Sequence, residues 1–360
     1  MEKKTLIVIL ILVAVVATIG AIEYAKPERS SGADAESIVL ASNERRSLKA
    51  DEYEPAKEIT TPDGFINTDA FQLSNYIGKK VILVDFWTYS CINCQRTLPY
   101  LNAWHEKYAD DGLLIVGVHT PEFEFEKEYD NVFKATEKYG VAYPVVLDND
   151  YSTWTAYKNR YWPRKYLIDI DGYIVYDHIG EGGYDETEKK IVELLNERKL
   201  VLNEEGTVAV KEGEPSGMQD VDFEKIRTPE TYLGAARIQY LANLPSQSCL
   251  SGSCSYSFTG SENLAGYELM GSWEIDDEYM KLGSKGGAIR LAFNASKVNL
   301  VAGSDTPVRA RILVDGVEVK TVIFEEHDLY NLVDLDEYGS HIVEIQFLDP
   351  GVSAFAFTFG

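Results

Sequence analysis

The sequence predicts two globular domains behind an apolar N-terminal segment, an α/β domain followed by an all-β domain. In the first half, short apolar runs such as Val81–Val84 and Leu113–Val118 alternate with helical patterns. In the last third, apolar and polar residues alternate with a period of two, as in Val308–Val314 and Val343–Phe347. The 360 residues are enough for two cores of ordinary size.

Residues 1–22 are predicted to anchor the chain in a membrane. Lys3 and Lys4 precede the nearly unbroken apolar run Thr5–Ile22, and about 18 such residues can span a bilayer as a helix. The two lysines orient the remainder of the chain to the extracytoplasmic side, as a single-pass protein of the cell membrane. The alternative is a cleaved signal peptide and a secreted protein. In both cases the cysteines face a compartment where disulfides persist.

Composition divides the rest of the chain. Residues 23–60 are charged and poor in large apolar side chains, which predicts a flexible tether. We expect the first domain over 61–200, an acidic linker over 201–223 and the second domain over 224–360. The formal net charge of −24 argues against nucleic acid as a partner, because phosphate contacts need clustered Lys and Arg.

The first domain begins at the Asp63–Gly64 turn, before a short edge strand. Its later predicted elements are a strand at Val81, a helix with Leu98, Leu101 and Tyr108 on one face, a strand over Leu113–Val118, helical sequence over Phe123–Tyr139, a short strand over Val145–Leu147, a short helix over Tyr151–Tyr157, strands over Lys165–Ile170 and Tyr173–His178, and a helix over Glu186–Arg198. Strands and helices alternate first, and a hairpin and a helix follow. This order describes a thioredoxin-like layout.

A Cys-x-x-Cys pair lies where the buried strand passes into the first helix. Cys91 should begin that helix, whose free N–H groups and dipole stabilise a thiolate. Cys94, one turn further on, can attack a mixed disulfide formed at Cys91. The alternative is half of a zinc site, which needs two more ligands at metal spacing, and no Cys or His follows nearby in that pattern. We therefore predict redox chemistry with no metal and no cofactor beyond the cysteine pair.

Further residues around the pair are candidates for supporting roles. Asp85 lies in the buried strand, where a raised pKa would suit it to exchange a proton with Cys94, although a salt-bridged structural carboxylate is the alternative. Pro163 follows Trp162 just before another strand, where it is either a cis-proline beside the cysteines or an ordinary loop proline. His119 and Glu122 follow a strand that should end near the site.

The second domain is predicted to be a jelly-roll-like sandwich of short antiparallel strands. Turn signals such as Asp315–Gly316 and Asp349–Gly351 separate its alternating segments. Cys249 and Cys254 fall in a Ser- and Gly-rich loop ahead of it, where a local structural disulfide is favoured over a second redox pair.

With these residues assembled, the chain resembles the TlpA-like branch of the thioredoxin superfamily, through Asp85–Trp87, Cys91–Cys94 and Pro163. It more closely resembles the C-terminal periplasmic part of DipZ-type cytochrome c biogenesis proteins. The matching strings are Asp85–Pro99, Gly117–Phe123, Asn159–Pro163, Thr228–Gly234 and Asp349–Gly360.

The resemblance implies that Cys91 attacks, Cys94 resolves, Pro163 is cis, and Trp87 and Trp162 support the site. It also implies a second domain similar to carbohydrate-binding modules, with a glycan as ligand. DipZ proteins carry a multi-helix membrane domain ahead of this part, whereas one apolar segment precedes it here. Electrons would then come from a separate membrane protein of the CcdA type.

The sequence therefore predicts a membrane-tethered thiol–disulfide oxidoreductase that reduces extracytoplasmic protein disulfides. Ile92 and Asn93 between the cysteines leave the direction of exchange open, because the intervening dipeptide alters the reduction potential. A peroxiredoxin-like peroxidase is an alternative: Thr88 fits that pattern three residues before Cys91, but Val84 stands where those enzymes have proline. A glycan-binding module on a thioredoxin-like scaffold is the other alternative.

Overall fold

The computed structural model describes residues 43–260 and 264–360. The predicted membrane segment lies outside the described residues, and none of the helices in the described ranges is long and apolar enough to cross a membrane. Residues 43–50 are helical. Residues 53–360 form one compact unit that contains both predicted domains.

The first domain contains a six-stranded sheet in the order β1-β4-β3-β2-β5-β6. The strands are β1 (Gly64–Ile66), β2 (Val81–Trp87), β3 (Leu113–His119), β4 (Val145–Leu147), β5 (Arg164–Ile168) and β6 (Ile174–Ile179). The helices are α1 (Ile92–Tyr108), α2 (Tyr129–Lys138), α3 (Ser152–Ala156) and α4 (Tyr184–Val201). Strands β2, β3 and β4 are parallel, and the other pairings are antiparallel. The predicted α/β thioredoxin-like layout is confirmed.

Strand β2 is buried on both faces, as its apolar run predicted. Side chains alternate across a strand, so Ile82 and Val84 enter the core on one face of the sheet while Val81 and Leu83 enter the core on the other. The latter core includes residues of α1, α2 and α4. By the same alternation Asp85 lies on the α1 face, which also holds Cys94.

The last residues of the predicted tether contact the first domain. Pro55 bridges to Tyr173, and the Ala56 N–H donates to the Gly172 carbonyl at 2.9 Å. Ile59 is buried in the core on the α3 face. These apolar residues therefore pack against the first domain, although the segment is charged overall.

The second domain is all-β, as predicted, and its strands form one connected nine-stranded sheet. They are β7 (Thr231–Tyr232), β8 (Gly252–Tyr256), β9 (Tyr267–Ile275), β10 (Met280–Leu282), β11 (Ala288–Gly303), β12 (Val308–Val314), β13 (Val317–Phe324), β14 (Asp328–Phe347) and β15 (Ser353–Phe359). The first part of β11 pairs with β9 and its last part with β15, while β10 bridges β9 and β15. These four strands close a ring around a core that includes Trp273 and Tyr267, both fully buried.

The two domains share an aromatic cluster formed by the segment after β3 and by strand β15. Phe123 and Phe125 of the first domain lie 5.1 and 4.8 Å from Phe355 of the second, between ring centroids. Phe125 also stacks on His327 at 5.0 Å. We call Phe123, Phe125, His327 and Phe355 the interdomain aromatic cluster. The apolar contact explains why residues 53–360 form one unit rather than two.

Candidate functional site

Cys91 is the N-cap residue of α1, where β2 passes into the helix. Its sulfur accepts a hydrogen bond from the Cys94 N–H at 3.4 Å. The first turn of α1 contains no acidic side chain. Both cysteines are free thiols; Cys91 is partly exposed and Cys94 is buried. This arrangement gives one sulfur access to a partner and keeps the other behind it.

Burial raises the pKa of the Cys94 thiol well above its ordinary value, and the neighbouring Cys91 raises it further. A buried thiol in this state is a poor nucleophile until a base removes its proton. A reaction at Cys94 would therefore need a proton acceptor.

Asp85 and Lys165 are two buried ionisable residues on neighbouring strands of the first domain. They are cross-strand partners on β2 and β5, and both are almost fully buried. Burial raises the pKa of Asp85 to about 7, against the opposing effect of Lys165. The negative charge of Asp85 in turn contributes to the raised pKa of Cys94, and both side chains lie on the α1 face of the sheet. One Asp85 oxygen, Oδ1, has no hydrogen-bond partner.

Lys165 was missed by the sequence analysis. Its ammonium donates to the Gly180 carbonyl at 3.1 Å, and burial lowers its pKa while Asp85 raises it. A charged residue inside a strand, here next to Arg164 at the start of β5, is the same kind of signal that drew attention to Asp85. The strand register that brings the two together cannot be read from either segment alone.

Arg96 is a second buried charge on α1. Its guanidinium pairs with Glu181 at 3.2 Å and also donates to the Phe359 carbonyl of the second domain at 3.4 Å. Burial raises the pKa of Glu181, and Arg96 lowers it. Arg96 thus connects the helix that carries the cysteines to strand β15.

Trp87 and His119 lie at the ends of β2 and β3, where they are register partners. Their rings are 5.1 Å apart in an edge-to-face contact. Burial lowers the pKa of His119 to about 3, so the imidazole is neutral at pH 7. His119 Nε2 lies 3.4 Å from the Thr88 hydroxyl. His119 therefore contributes to the packing behind the cysteine loop.

Glu122 contacts the second domain. Its carboxylate accepts hydrogen bonds from Arg237 at 2.7 Å and from the Tyr232 hydroxyl at 2.8 Å, both in the second domain. Since Arg237 and Tyr232 are distant in sequence, the strand that precedes Glu122 could not reveal this interface.

Glu126, four residues on, is the buried carboxylate of this segment and was also missed. It accepts hydrogen bonds from the Ser90 hydroxyl at 2.6 Å and from the Ser90 N–H at 3.3 Å. Ser90 directly precedes Cys91. Burial raises the pKa of Glu126 to about 7, although the Ser90 and Thr88 hydrogen bonds lower it. In the sequence, Glu126 is one of four glutamates that alternate with other residues over 122–128.

The peptide bond between Trp162 and Pro163 is cis. The Trp162 indole N–H donates to the Thr120 carbonyl at 2.9 Å, and the Pro163 carbonyl accepts from the Gly180 N–H at 2.8 Å. Pro163 is buried, and the Trp162 ring packs with Cys91 against the core on the α1 face.

Cys249 and Cys254 form a disulfide. Cys249 lies in a 3₁₀ turn over Gln247–Leu250, and Cys254 lies on strand β8 opposite Trp273, not in a loop as predicted. Among the described residues, the one group of ligand-type side chains close enough to share a metal ion is Asp169, Asp171 and Glu197. Asp169 and Asp171 lie in the β5–β6 turn, Glu197 lies on α4, and the group includes neither cysteine pair.

Two family models cover most of the described chain. Residues 53–177 match the AhpC/TSA family, and residues 228–360 match the family described as thioredoxin like C-terminal domain. Each domain of the chain is therefore similar to a known family over most of its length. The second match begins close to the predicted start of the second domain and ends with strand β15.

Curated relatives support the same assignment. Protein DipZ of Mycobacterium tuberculosis is 35% identical over 311 residues, which are 84% of this chain and 43% of that protein. The chain thus spans less than half the length of the DipZ proteins it matches. Thiol-disulfide oxidoreductase YkuV of Bacillus subtilis is 28% identical over 40% of this chain and 96% of its own length. Thiol-disulfide oxidoreductase ResA of Geobacillus kaustophilus is 34% identical over 31% of this chain and 63% of its own length.

Among solved structures, the solution structure of a thioredoxin-like protein in the oxidized form is 28% identical over 40% of this chain and 97% of its own, with a TM-score of 0.38. The predicted resemblance to the thioredoxin superfamily and to DipZ proteins is confirmed. The names of the relatives also agree with the predicted enzyme class.

Proposed function

We propose that the protein is a thiol–disulfide oxidoreductase in which Cys91 is the nucleophile and Cys94 the resolving thiol. The observation that carries the proposal is the position of Cys91 at the N-terminus of α1, partly exposed, with the Cys94 N–H directed at its sulfur. Helix N-termini favour the thiolate form of a cysteine.

The reaction has two steps. The Cys91 thiolate attacks a substrate disulfide, forms a mixed disulfide and releases one substrate thiolate, which takes a proton from solvent. Asp85 then accepts the Cys94 proton, because its raised pKa and its position on the same face of the sheet as Cys94 match it to that transfer. The Cys94 thiolate attacks the Cys91 sulfur and releases the second substrate thiolate, which takes a proton from solvent as Asp85 returns the Cys94 proton to solvent. Two electrons pass to the substrate, and the Cys91–Cys94 disulfide remains.

Lys165 has a supporting role in this scheme. Its positive charge stabilises the Asp85 carboxylate before proton transfer, when the thiol is still neutral. Once Asp85 is protonated, Lys165 faces the Cys94 thiolate, whose charge also raises the lysine pKa. Lys165 can thus stabilise the negative charge both before the proton transfer, on Asp85, and after it, on Cys94.

We further propose that the enzyme is tethered to the membrane by residues 5–22 and reduces disulfides of extracytoplasmic proteins. Its own disulfide is then reduced by a membrane protein dithiol of the CcdA type. The support is the apolar N-terminal run behind two lysines and the similarity to DipZ.

The test is the reduction potential of Cys91–Cys94, measured by equilibration with dithiothreitol, with a Cys249→Ser/Cys254→Ser variant alongside. A value near that of thioredoxin, about −270 mV, supports a reductase. A value near that of a strong oxidant, about −120 mV, contradicts the proposed direction. Cys94→Ser should accumulate the mixed disulfide at Cys91, whereas Cys91→Ser should form none. Hydrogen peroxide consumption that survives in Cys94→Ser, with no exchange in the wild type, would favour the peroxidase alternative instead.

A second candidate function is glycan binding by the second domain, whose jelly-roll-like form remains our prediction. The observation in its favour is a cavity of about 640 Å³ lined by Arg227, Tyr240, Phe293, Asn294 and His341, among others. Aromatic faces with amide and charged groups suit sugar rings. Calorimetric titration of Cys91→Ser with glycans tests it, because binding by the second domain does not need the thiol. Heats no larger than dilution would remove this candidate.

A further inference from the structure

The loop that carries Cys91 is held from behind by one side chain. Glu126 Oε1 accepts two hydrogen bonds from Ser90, the residue before Cys91. Glu126 Oε2 accepts the N–H groups of Glu122 and Phe123 at 2.6 and 3.0 Å. The carboxyl group therefore bridges the cysteine loop and the segment after β3. It is fully buried, so water does not compete for these contacts.

The four contacts define a particular requirement at this position. All four partners are donors, and a carboxylate offers two acceptor oxygens. A glutamine offers one oxygen, and its NH₂ group would face two N–H donors. Glu126→Gln keeps the shape of the side chain but removes one hydrogen-bond acceptor, so it tests the hydrogen bonds separately from the packing.

The segment that Glu126 holds is itself held by the second domain. Phe123 and Phe125 pack on Phe355 in the interdomain aromatic cluster. Arg237 bonds Glu122 at 2.7 Å and places its guanidinium 5.3 Å from the Phe123 ring centroid. Strand β15 and the loop at Arg237 thus fix both the residues whose N–H groups meet Glu126.

A second contact joins the cysteine loop to the second domain directly. The Tyr89 hydroxyl donates to the His327 carbonyl at 3.1 Å, and Tyr89 is two residues before Cys91. Tyr89 and Ser90 are therefore both restrained, one by the second domain itself and one through Glu126.

We propose that Glu126 is a positioning residue for Cys91 and that the second domain keeps it in place through Phe355 and Arg237. The inference rests on the proposed exchange chemistry of Cys91 and Cys94. Restraining the loop keeps the two sulfurs near one another, which raises their effective concentration and stabilises the Cys91–Cys94 disulfide relative to the dithiol. The second domain thus helps to set the stability of the Cys91–Cys94 disulfide.

The experiment measures the equilibrium in which oxidised glutathione and the protein dithiol give the protein disulfide and two reduced glutathiones. The full chain is equilibrated at several glutathione ratios, free thiols are alkylated, and peptide masses report Cys91 and Cys94 separately from Cys249 and Cys254. We expect Glu126→Gln and Phe355→Ala each to lower the equilibrium constant about tenfold, which corresponds to about 30 mV. Arg237→Ala, at the rim of the interface, should lower it about threefold.

Each variant has a matched control in the second domain. Glu268 is a buried glutamate that accepts hydrogen bonds from Thr259, so Glu268→Gln controls for Glu126→Gln. Phe347 packs on Trp273 and Phe324 within that domain and controls for Phe355. Arg309 pairs with Asp349 and controls for Arg237. All three controls should stay within twofold of the wild type. Circular dichroism confirms that each variant is folded, and Phe355→Leu replaces Phe355→Ala if that variant is not.

The double variant Glu126→Gln/Phe355→Ala decides the route of the effect. If Phe355 acts through Glu126, the double variant equals the stronger single variant instead of summing both losses. The inference would be overturned if Glu126→Gln changed the equilibrium while Phe355→Ala and Arg237→Ala did not. It would also be overturned if the losses of the two single variants added up in the double variant. Variants that leave the wild-type equilibrium unchanged would overturn it as well. A wild-type protein that forms no Cys91–Cys94 disulfide at any ratio would overturn the proposed function, and this inference with it.

Discussion

The substitution Asp85→Asn should stabilise the first domain at neutral and alkaline pH. The pKa of the Asp85 carboxyl rises from 3.8 to about 7 on folding because the group is buried. A carboxyl with a higher pKa in the folded state binds its proton more tightly there than in the unfolded chain. This contribution to stability is complete below about pH 4, is lost as the pH rises, and stays lost above about pH 7. Asp85→Asn removes the ionisation and hence the loss.

The size follows from the shift. Each pKa unit corresponds to about 1.4 kcal/mol, so a rise from 3.8 to about 7 makes the ionised group cost about 4 kcal/mol at pH 8. This is an upper limit, because Asn also removes the negative charge that favours protonated Lys165. We expect Asp85→Asn to gain about 2–4 kcal/mol over the wild type at pH 8, and little at pH 4.

Urea unfolding followed by tryptophan fluorescence measures this difference, with both proteins fully reduced. Four of the five tryptophans, Trp87, Trp104, Trp154 and Trp162, lie in the first domain, so the signal reports on that domain. Glu126 also titrates near pH 7, but it is present in both proteins and cancels in the comparison. A stability difference that is independent of pH between 4 and 8, or a wild type that is the more stable protein at pH 8, would refute the reasoning.

Three further predictions concern other parts of the site and its support. Asp85→Asn should slow resolution of the mixed disulfide at pH 7 about 100-fold, as expected for loss of a positioned proton acceptor. Stopped-flow measurement of resolution at a dithionitrobenzoate-modified Cys91 checks this, and unchanged kinetics would exclude Asp85 as the base. Arg96→Met should destabilise the first domain by about 3 kcal/mol in urea unfolding, because Glu181 is left buried and unpaired. The added change Glu181→Gln should recover most of the loss, and no recovery would contradict the pairing of Arg96 with Glu181. Cys249→Ser/Cys254→Ser opens a short loop with a sequence separation of 5 and should lower the free energy of unfolding of the second domain by about 2 kcal/mol, measured by thermal or urea unfolding. The Cys91–Cys94 equilibrium should stay within twofold of the wild type. A larger redox effect would favour exchange between the two pairs.

Local pattern was enough to predict the first domain and the position of its cysteines. The apolar run at Val81 marked a strand buried on both faces, and the polar sequence after it marked the start of a helix. Those two facts place Cys91 at a helix N-terminus without knowledge of the rest of the chain. Asp85 was found for a related reason, because a charged residue inside such a strand is costly and therefore conspicuous.

The residues that were missed depend on contacts between distant segments. Lys165 becomes a partner of Asp85 only through the register of β2 against β5. Glu126 is chemically identical to Glu122 and Glu124 in the sequence, and only the fold decides which of them is buried. The hydrogen bond between Glu122 and Arg237 joins residues that lie 115 positions apart in the chain. Neither periodicity nor motif spacing carries information over such separations.

Strand β15 follows every other strand of its sheet in the sequence, yet it lies between β11 and β10 in the interior of the sheet. A ribosome delivers the chain N-terminal end first, so the first domain is complete long before residues 353–359 emerge. Until then the sheet lacks an inner strand, and neither Phe355 nor the Phe359 carbonyl is available to the cysteine-bearing domain. The contacts that Phe355 and the Phe359 carbonyl make with the first domain therefore form only after the whole of the second domain has been synthesised.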